Sequence, residues 1–160
     1  MTDSAEKSVV MIVDDEEMVL MSIRSFLNLE TSYEVLTFTS PLKALDHFAQ
    51  HEVDLVMSDY LMPEMDGISF LAKVRDLRPD VPRIILTGYT GKENAIKAIN
   101  EVGLYQYIEK PWNNEDLQII LRNSLKKRQL ISKLTQKIAE INRAHGELQG
   151  LHREIVKAFV

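Results

Sequence analysis

Five short apolar runs, each followed by a stretch in which apolar residues recur at helical spacing, constrain this 160-residue chain more than any other feature of it. The first run is Val9-Val10-Met11-Ile12-Val13. After it, from about residue 16 to 29, Met18, Leu20, Met21, Ile23, Phe26 and Leu27 supply the apolar positions of a helix. The alternation repeats as strand 33–38 and helix 41–50, strand 55–57 and helix 67–77, strand 83–86 and helix 92–100, and strand 105–108 with a helix from Asn114 onward. Near-continuous apolar strands separated by helices predict a parallel sheet, because parallel neighbours need crossover connections and the crossovers cover both faces. The expected fold is an α/β doubly wound sandwich, whose ligands sit outside the carboxyl ends of the strands near the switch in strand order.

Composition narrows the setting. With 45% hydrophobic and 27% charged residues the chain can bury one full core and a small appendage, which excludes disorder and a collagen repeat. Its longest apolar run, Val9 to Val13, falls far short of the ~20 residues that cross a bilayer, and Asp3, Glu6 and Lys7 do not make a signal peptide's basic-then-apolar start. A cytoplasmic chain with no membrane partner is expected. The absence of cysteine removes disulfides, thiol nucleophiles and thiolate metal sites, so any bound ion must be held by oxygen or imidazole, which favours hard cations. Residues 1–121 hold 10 Lys+Arg against 21 Asp+Glu, whereas 122–160 hold 9 against 3, so the halves carry −11 and +6. The acidic body is unsuited to gripping phosphate backbones.

The strand ends carry the chemistry. Strand one runs into Asp14-Asp15, strand three into Asp59, strand four into Thr87-Gly88 and strand five into Lys110-Pro111. Three carboxylates gathered at one sheet edge repel one another unless a cation neutralises them, and oxygen-only ligation by few protein groups suits Mg²⁺, which also accepts phosphate oxygens. A lysine ammonium and a threonine hydroxyl can take the remaining oxygens of a phosphoryl group, with Asp59 on the central strand as acceptor. Each fragment has a blander role beside this one. Asp14-Asp15 also suits a helix N-cap, Asp66-Gly67 a turn and helix start, Lys110-Pro111 a strand-ending turn, and Tyr107, Met62, Met65 and Trp112 packing.

In combination, Asp14-Asp15, the run Asp59-Tyr60-Leu61-Met62-Pro63-Glu64-Met65-Asp66-Gly67, Thr87-Gly88 and Tyr107-Ile108-Glu109-Lys110-Pro111 resemble the receiver domain of two-component response regulators, over roughly residues 9–122. The resemblance implies a flavodoxin-like five-stranded sheet in the order 2-1-3-4-5. It implies phosphorylation of Asp59 by a sensor histidine kinase or phosphotransfer protein, and Mg²⁺ held by Asp14, Asp15, Asp59 and the backbone carbonyl of Leu61. It further implies Thr87 and Lys110 on the phosphoryl group, a Thr87–Tyr107 switch pair that remodels the surface of the fourth helix, fifth strand and fifth helix, and a cis Lys110–Pro111 peptide. Such a chain is a switch more than an enzyme. Leu61 and Tyr89 stand at two family positions that vary with dephosphorylation rate, and neither can orient an attacking water, so slow self-hydrolysis is expected.

Other functions fit less well. A haloacid-dehalogenase-like phosphohydrolase needs a second acid two residues after its nucleophile, and that position is Leu61. A Rossmann enzyme needs a glycine-rich cradle where Asp14-Asp15-Glu16-Glu17 stands. A pure binding scaffold is disfavoured because none of Asp14, Asp15, Asp59, Thr87 and Lys110 is missing.

The helical pattern that starts at Asn114 does not stop, since no proline follows Pro111 and the next glycine is Gly146. Leu117, Ile120, Ile131, Leu134, Ile138, Ile141, Leu148, Ile155 and Phe159 fit a heptad seam with gaps at Ser124, Lys127, His145 and His152, with a register slip near residue 144 as an alternative. The 39 residues from Arg122 on would reach about 58 Å as one helix. The expected organisation is an N-terminal tail at 1–8, a receiver at 9–122 and a coiled-coil-like linker at 123–160 that forms a homodimer with a second copy. With no helix-turn-helix pattern and no zinc spacing, direct DNA binding is not expected. Heptad linkers usually lead to an output domain, and the Lys110-Pro111-Trp112 ending is similar to receivers that precede cyclic-di-nucleotide phosphodiesterases, so a missing output domain is expected beyond Val160.

Overall fold

The computed structural model describes residues 7–88, 93, 96, 97 and 106–145. The elements run β1 (Val9–Val13), α1 (Glu17–Glu30), β2 (Glu34–Phe38), α2 (Pro41–Gln50), β3 (Leu55–Asp59), α3 (Gly67–Leu77), β4 (Arg83–Thr87), β5 (Gln106–Glu109) and α4 (Asn114–His145). The five strands form one parallel sheet in the order β2-β1-β3-β4-β5, the topology expected from the sequence.

Side chains alternate across the sheet as the period of two requires. Met11, Val13, Val56 and Ile85 point to one face, where Phe48 of α2 and Phe70, Leu71 and Val74 of α3 cover them. Val10, Ile12, Leu55, Met57, Ile84 and Leu86 point to the other, against Leu20, Ile23 and Leu27 of α1 and Leu117, Leu121 and Leu125 of α4. Local chemistry starts the helices. Ser40 caps α2 by accepting from Lys43 N with Pro41 in the first turn, Asp66 caps α3 by accepting from Ser69 N at 2.8 Å, and Asn113 accepts from Glu115 N and Asp116 N ahead of α4. Helix α1 lacks a side-chain cap at Glu16, and Asp14 Oδ1 accepts from Glu16 N at 2.8 Å instead.

Strands β3 and β4 run on past the apolar runs that announce them, to Asp59 and Thr87, because ladder pairing does not require apolar side chains; Asp59 pairs with Leu86 and Thr87 with Glu109. Strand β5 begins at Gln106, and Tyr105 lies outside the described residues. So do Tyr89, most of the helix expected over 92–100, and the chain after His145 with Leu148, His152, Ile155 and Phe159; positions 93, 96 and 97 are helical.

Helix α4 is continuous over 32 residues, about 48 Å. Its contacts with the body pass residue 122, since Ser124 and Leu125 are buried and Arg128 forms ion pairs with Asp54 and Asp80. Of the expected heptad positions, Leu117 is buried and Ile120 half-buried, whereas Leu134 and Ile141 are exposed. The body instead takes Leu121 and Leu125, an i, i+4 stripe with Leu117.

Candidate functional site

At the carboxyl ends of β1, β3, β4 and β5 the structure assembles one acidic pocket. Asp14 follows β1 directly, with its N–H donating to Phe38 O of β2 at 3.1 Å, and is fully buried. Asp59 ends β3 at 8% exposure, while Asp15 faces solvent. Carboxylate oxygens of Asp14, Asp15 and Asp59 lie within 4.8 Å of one another. Lys110, one residue beyond β5, reaches back so that its Nζ is 2.9 Å from Asp14 Oδ2 and 3.1 Å from Asp59 Oδ1. Its own N–H donates to Thr87 O at 2.8 Å, tying the end of β5 to that of β4. The Lys110–Pro111 peptide is cis. Beyond it the chain's single tryptophan, Trp112, is half-buried, and its Nε1–H donates to Asn114 Oδ1 at 2.9 Å.

The electrostatics follow from this crowding. Burial, and then the neighbouring Asp14 charge, hold the Asp59 carboxyl above its ordinary value, with Lys110 and the Tyr60 N–H opposing the rise. Burial alone would lower the Lys110 ammonium, but its hydrogen bond to Asp14 and the charges of Asp14 and Asp59 outweigh that and leave it raised. Three carboxylates against one ammonium give a formal charge of −2, which one divalent cation balances. An all-oxygen donor set of this kind, open on the Asp15 side, fits Mg²⁺.

Thr87 is fully buried, and its hydroxyl donates to Gly88 O at 3.1 Å. Tyr107 is half-buried on the same sheet face, in register with Ile85, so it stands on the adjacent strand diagonal to Thr87. Leu61 sits two residues past Asp59 with its side chain 63% exposed. One residue essential to this geometry was legible only as a turn. Gly67 opens α3 so close to β3 that its N–H donates to Tyr60 O at 2.7 Å, and a Cβ there would lie 2.0 Å from Asp59 O. A glycine just after the loop that follows Asp59 was the available signal, because only a residue without a side chain permits such an approach.

A parallel sheet of this order with carboxylates at its switch point defines a flavodoxin-like fold carrying an acidic strand-end pocket. The family profile described as response regulator receiver domain matches residues 10–122, and the chain belongs to that family. It is 35% identical over 122 residues to the hydrogenase transcriptional regulatory protein HoxA of Cupriavidus necator, covering 76% of this chain and 25% of that protein. Against response regulator Rre1 of Synechocystis sp. the identity is 32% over 155 residues, covering 94% and 66%. The signal receiver domain of an HD domain-containing protein from Pseudomonas fluorescens Pf-5 matches with a TM-score of 0.73 at 33% identity, over 78% of this chain and 98% of that one. The chain thus spans about a quarter of the length of the HoxA regulator. Receiver domains of response regulators are signalling switches phosphorylated by histidine kinases, and they generally use Mg²⁺ at the acidic pocket. Among the described residues no helix is long and apolar enough to cross a membrane.

Proposed function

We propose that the chain is the phosphoacceptor module of a cytoplasmic two-component system, in which Asp59 takes a phosphoryl group from a sensor histidine kinase or phosphotransfer protein. A carboxylate oxygen of Asp59 forms the new O–P bond as the donor's N–P bond breaks. Asp14, Asp15, Asp59 and the backbone carbonyl of Leu61 hold Mg²⁺, which supplies charge neutralisation at the phosphoryl oxygens. Lys110 gives its ammonium to the same oxygens. Thr87 turns its hydroxyl from Gly88 O toward the phosphoryl group, and Tyr107 moves into the space released, which alters the surface around β5 and its flanking helices. The observation that carries this reading is the convergence of Lys110 Nζ on both Asp14 and Asp59 at the focus of three carboxylates.

The functional division is a tail at 1–8, the receiver at 9–122 and a linker at 123–160 that pairs with the same segment of a second copy and passes the signal to an output domain. Exposed Leu130, Leu134 and Ile141 on α4 support that pairing. Leu61 and Tyr89 leave the acyl phosphate without a side chain to orient water, so it persists for minutes or longer. The test is intact mass after incubation with Mg²⁺ and a small acyl phosphate. A gain of about 80 Da in the wild type, absent in Asp59→Asn, is expected; no gain in the wild type refutes the acceptor assignment.

A further inference from the structure

Arg128 lies on α4 six residues beyond the end of the family match at 122. Its Nη1 bonds Asp54 Oδ1, while its Nε and Nη2 both donate to Asp80 Oδ2 at 3.3 and 3.2 Å. Asp54 is the residue before β3, and Asp80 stands three residues before β4. The second oxygen of Asp54 accepts from Val9 N, the first residue of β1, at 2.7 Å. One guanidinium therefore gathers the amino ends of the three central strands. Two of those strands, β3 and β4, carry Asp59 and Thr87 at their opposite ends.

We propose that Arg128, held between Asp54 and Asp80, is the joint through which the state of the pocket at the far ends of β3 and β4 sets the pose of the C-terminal helix. The inference rests on the phosphoacceptor reading and adds to it the point of transmission. Three properties fit the group for that work. Its planar fork bonds two carboxylates only while they keep their spacing, so a slide of β3 against β4 is felt at once. The three side chains retain 24, 32 and 50% of their exposure, so the pairs contribute modestly and exchange with water at small cost. Leu125, buried one turn earlier, gives the helix a fixed pivot. From Arg128 to His145 the helix extends 17 residues, about 26 Å, so a tilt of about 10° at the joint carries its end through some 4–5 Å.

Hydrogen exchange of the segment 126–135 in the full chain, read before and after treatment with Mg²⁺ and a small acyl phosphate, tests the joint. In the wild type, modification is expected to change exchange there by about threefold or more. Arg128→Gln and Asp80→Asn are each expected to gain the phosphoryl mass normally, to exchange faster at 126–135 before treatment, and to lose the response to it. A wild type that is modified without any change at 126–135, or an Arg128→Gln variant that keeps the full response, overturns the joint and leaves the acceptor assignment intact. A wild type that gains no mass overturns the acceptor assignment and the coupling together.

Discussion

Gly67→Ala isolates the demand that α3 makes on β3, the strand that ends in Asp59. The added methyl would lie 2.0 Å from Asp59 O, 2.9 Å from Asp59 C and 3.1 Å from Tyr60 Cα, all of them backbone atoms with no rotamer to escape into. Restoring even a 3.0 Å approach requires the first turn of α3 and the end of β3 to part by about 1 Å, which pulls apart the 2.7 Å bond from Gly67 N to Tyr60 O. Overpacking contributes about 1–3 kcal/mol and the lost hydrogen bond about 1, while alanine's better helix propensity returns up to ~1. The net loss is about 1–3 kcal/mol, or roughly 3–10 °C in Tm for a chain of this size. Because Asp59 itself is displaced, phosphorylation by a small acyl phosphate should slow on the order of 100-fold. Gly88→Ala is the control, since among the described residues nothing lies within 4 Å of its added carbon. Thermal melts and a time course of mass gain on both variants measure the two effects. A Gly67→Ala protein that melts within a degree of the wild type and is modified at its rate would refute the steric argument.

Asp59→Asn is expected to stabilise the apo protein by about 1–2 kcal/mol at pH 7, because it removes a buried charge beside Asp14. The folded carboxyl titrates above 3.8, so its contribution is fully favourable below that value and is lost as pH rises through the folded pKa; the advantage of the variant in urea melts should therefore vanish toward pH 3–4. Lys110→Met leaves Asp14 and Asp59 without their shared cation and should lower stability by about 2–3 kcal/mol. Because the ammonium is replaceable by another cation, millimolar Mg²⁺ should recover part of that loss, and denaturation midpoints unmoved by Mg²⁺ would count against the metal assignment. Leu125→Ala should cost about 2–4 kcal/mol despite lying past residue 122, against less than about 0.5 for Leu130→Ala, whose side chain is 67% exposed; equal melts would show that α4 does not anchor there.

Legibility in the sequence tracked how local each signal is. Short continuous apolar runs and helical spacing revealed four of the helices and all five strands, and the strand-end positions of Asp14, Asp59, Thr87 and Lys110 followed from them, because in a doubly wound sheet those ends must converge. What depends on approach between distant backbones was not legible. Gly67 reads as any turn glycine until the distance to Asp59 O is known. In the sequence a heptad seam masks Leu121 and Leu125, because the seam and the body-facing stripe both start at Leu117 and part company within one turn. Arg128 is one of nine bases in a segment of charge +6, and its carboxylate partners lie 74 and 48 residues away in sequence.

The placement of Trp112 makes the protein its own optical instrument. The chain's lone indole sits two residues from the lysine that grips Asp14 and Asp59, and it is tethered by Nε1 to the first residue of the long helix. A rearrangement of the pocket that shifts the Lys110–Trp112 backbone changes the surroundings of the indole, so emission intensity and wavelength should report it without a dye or a label.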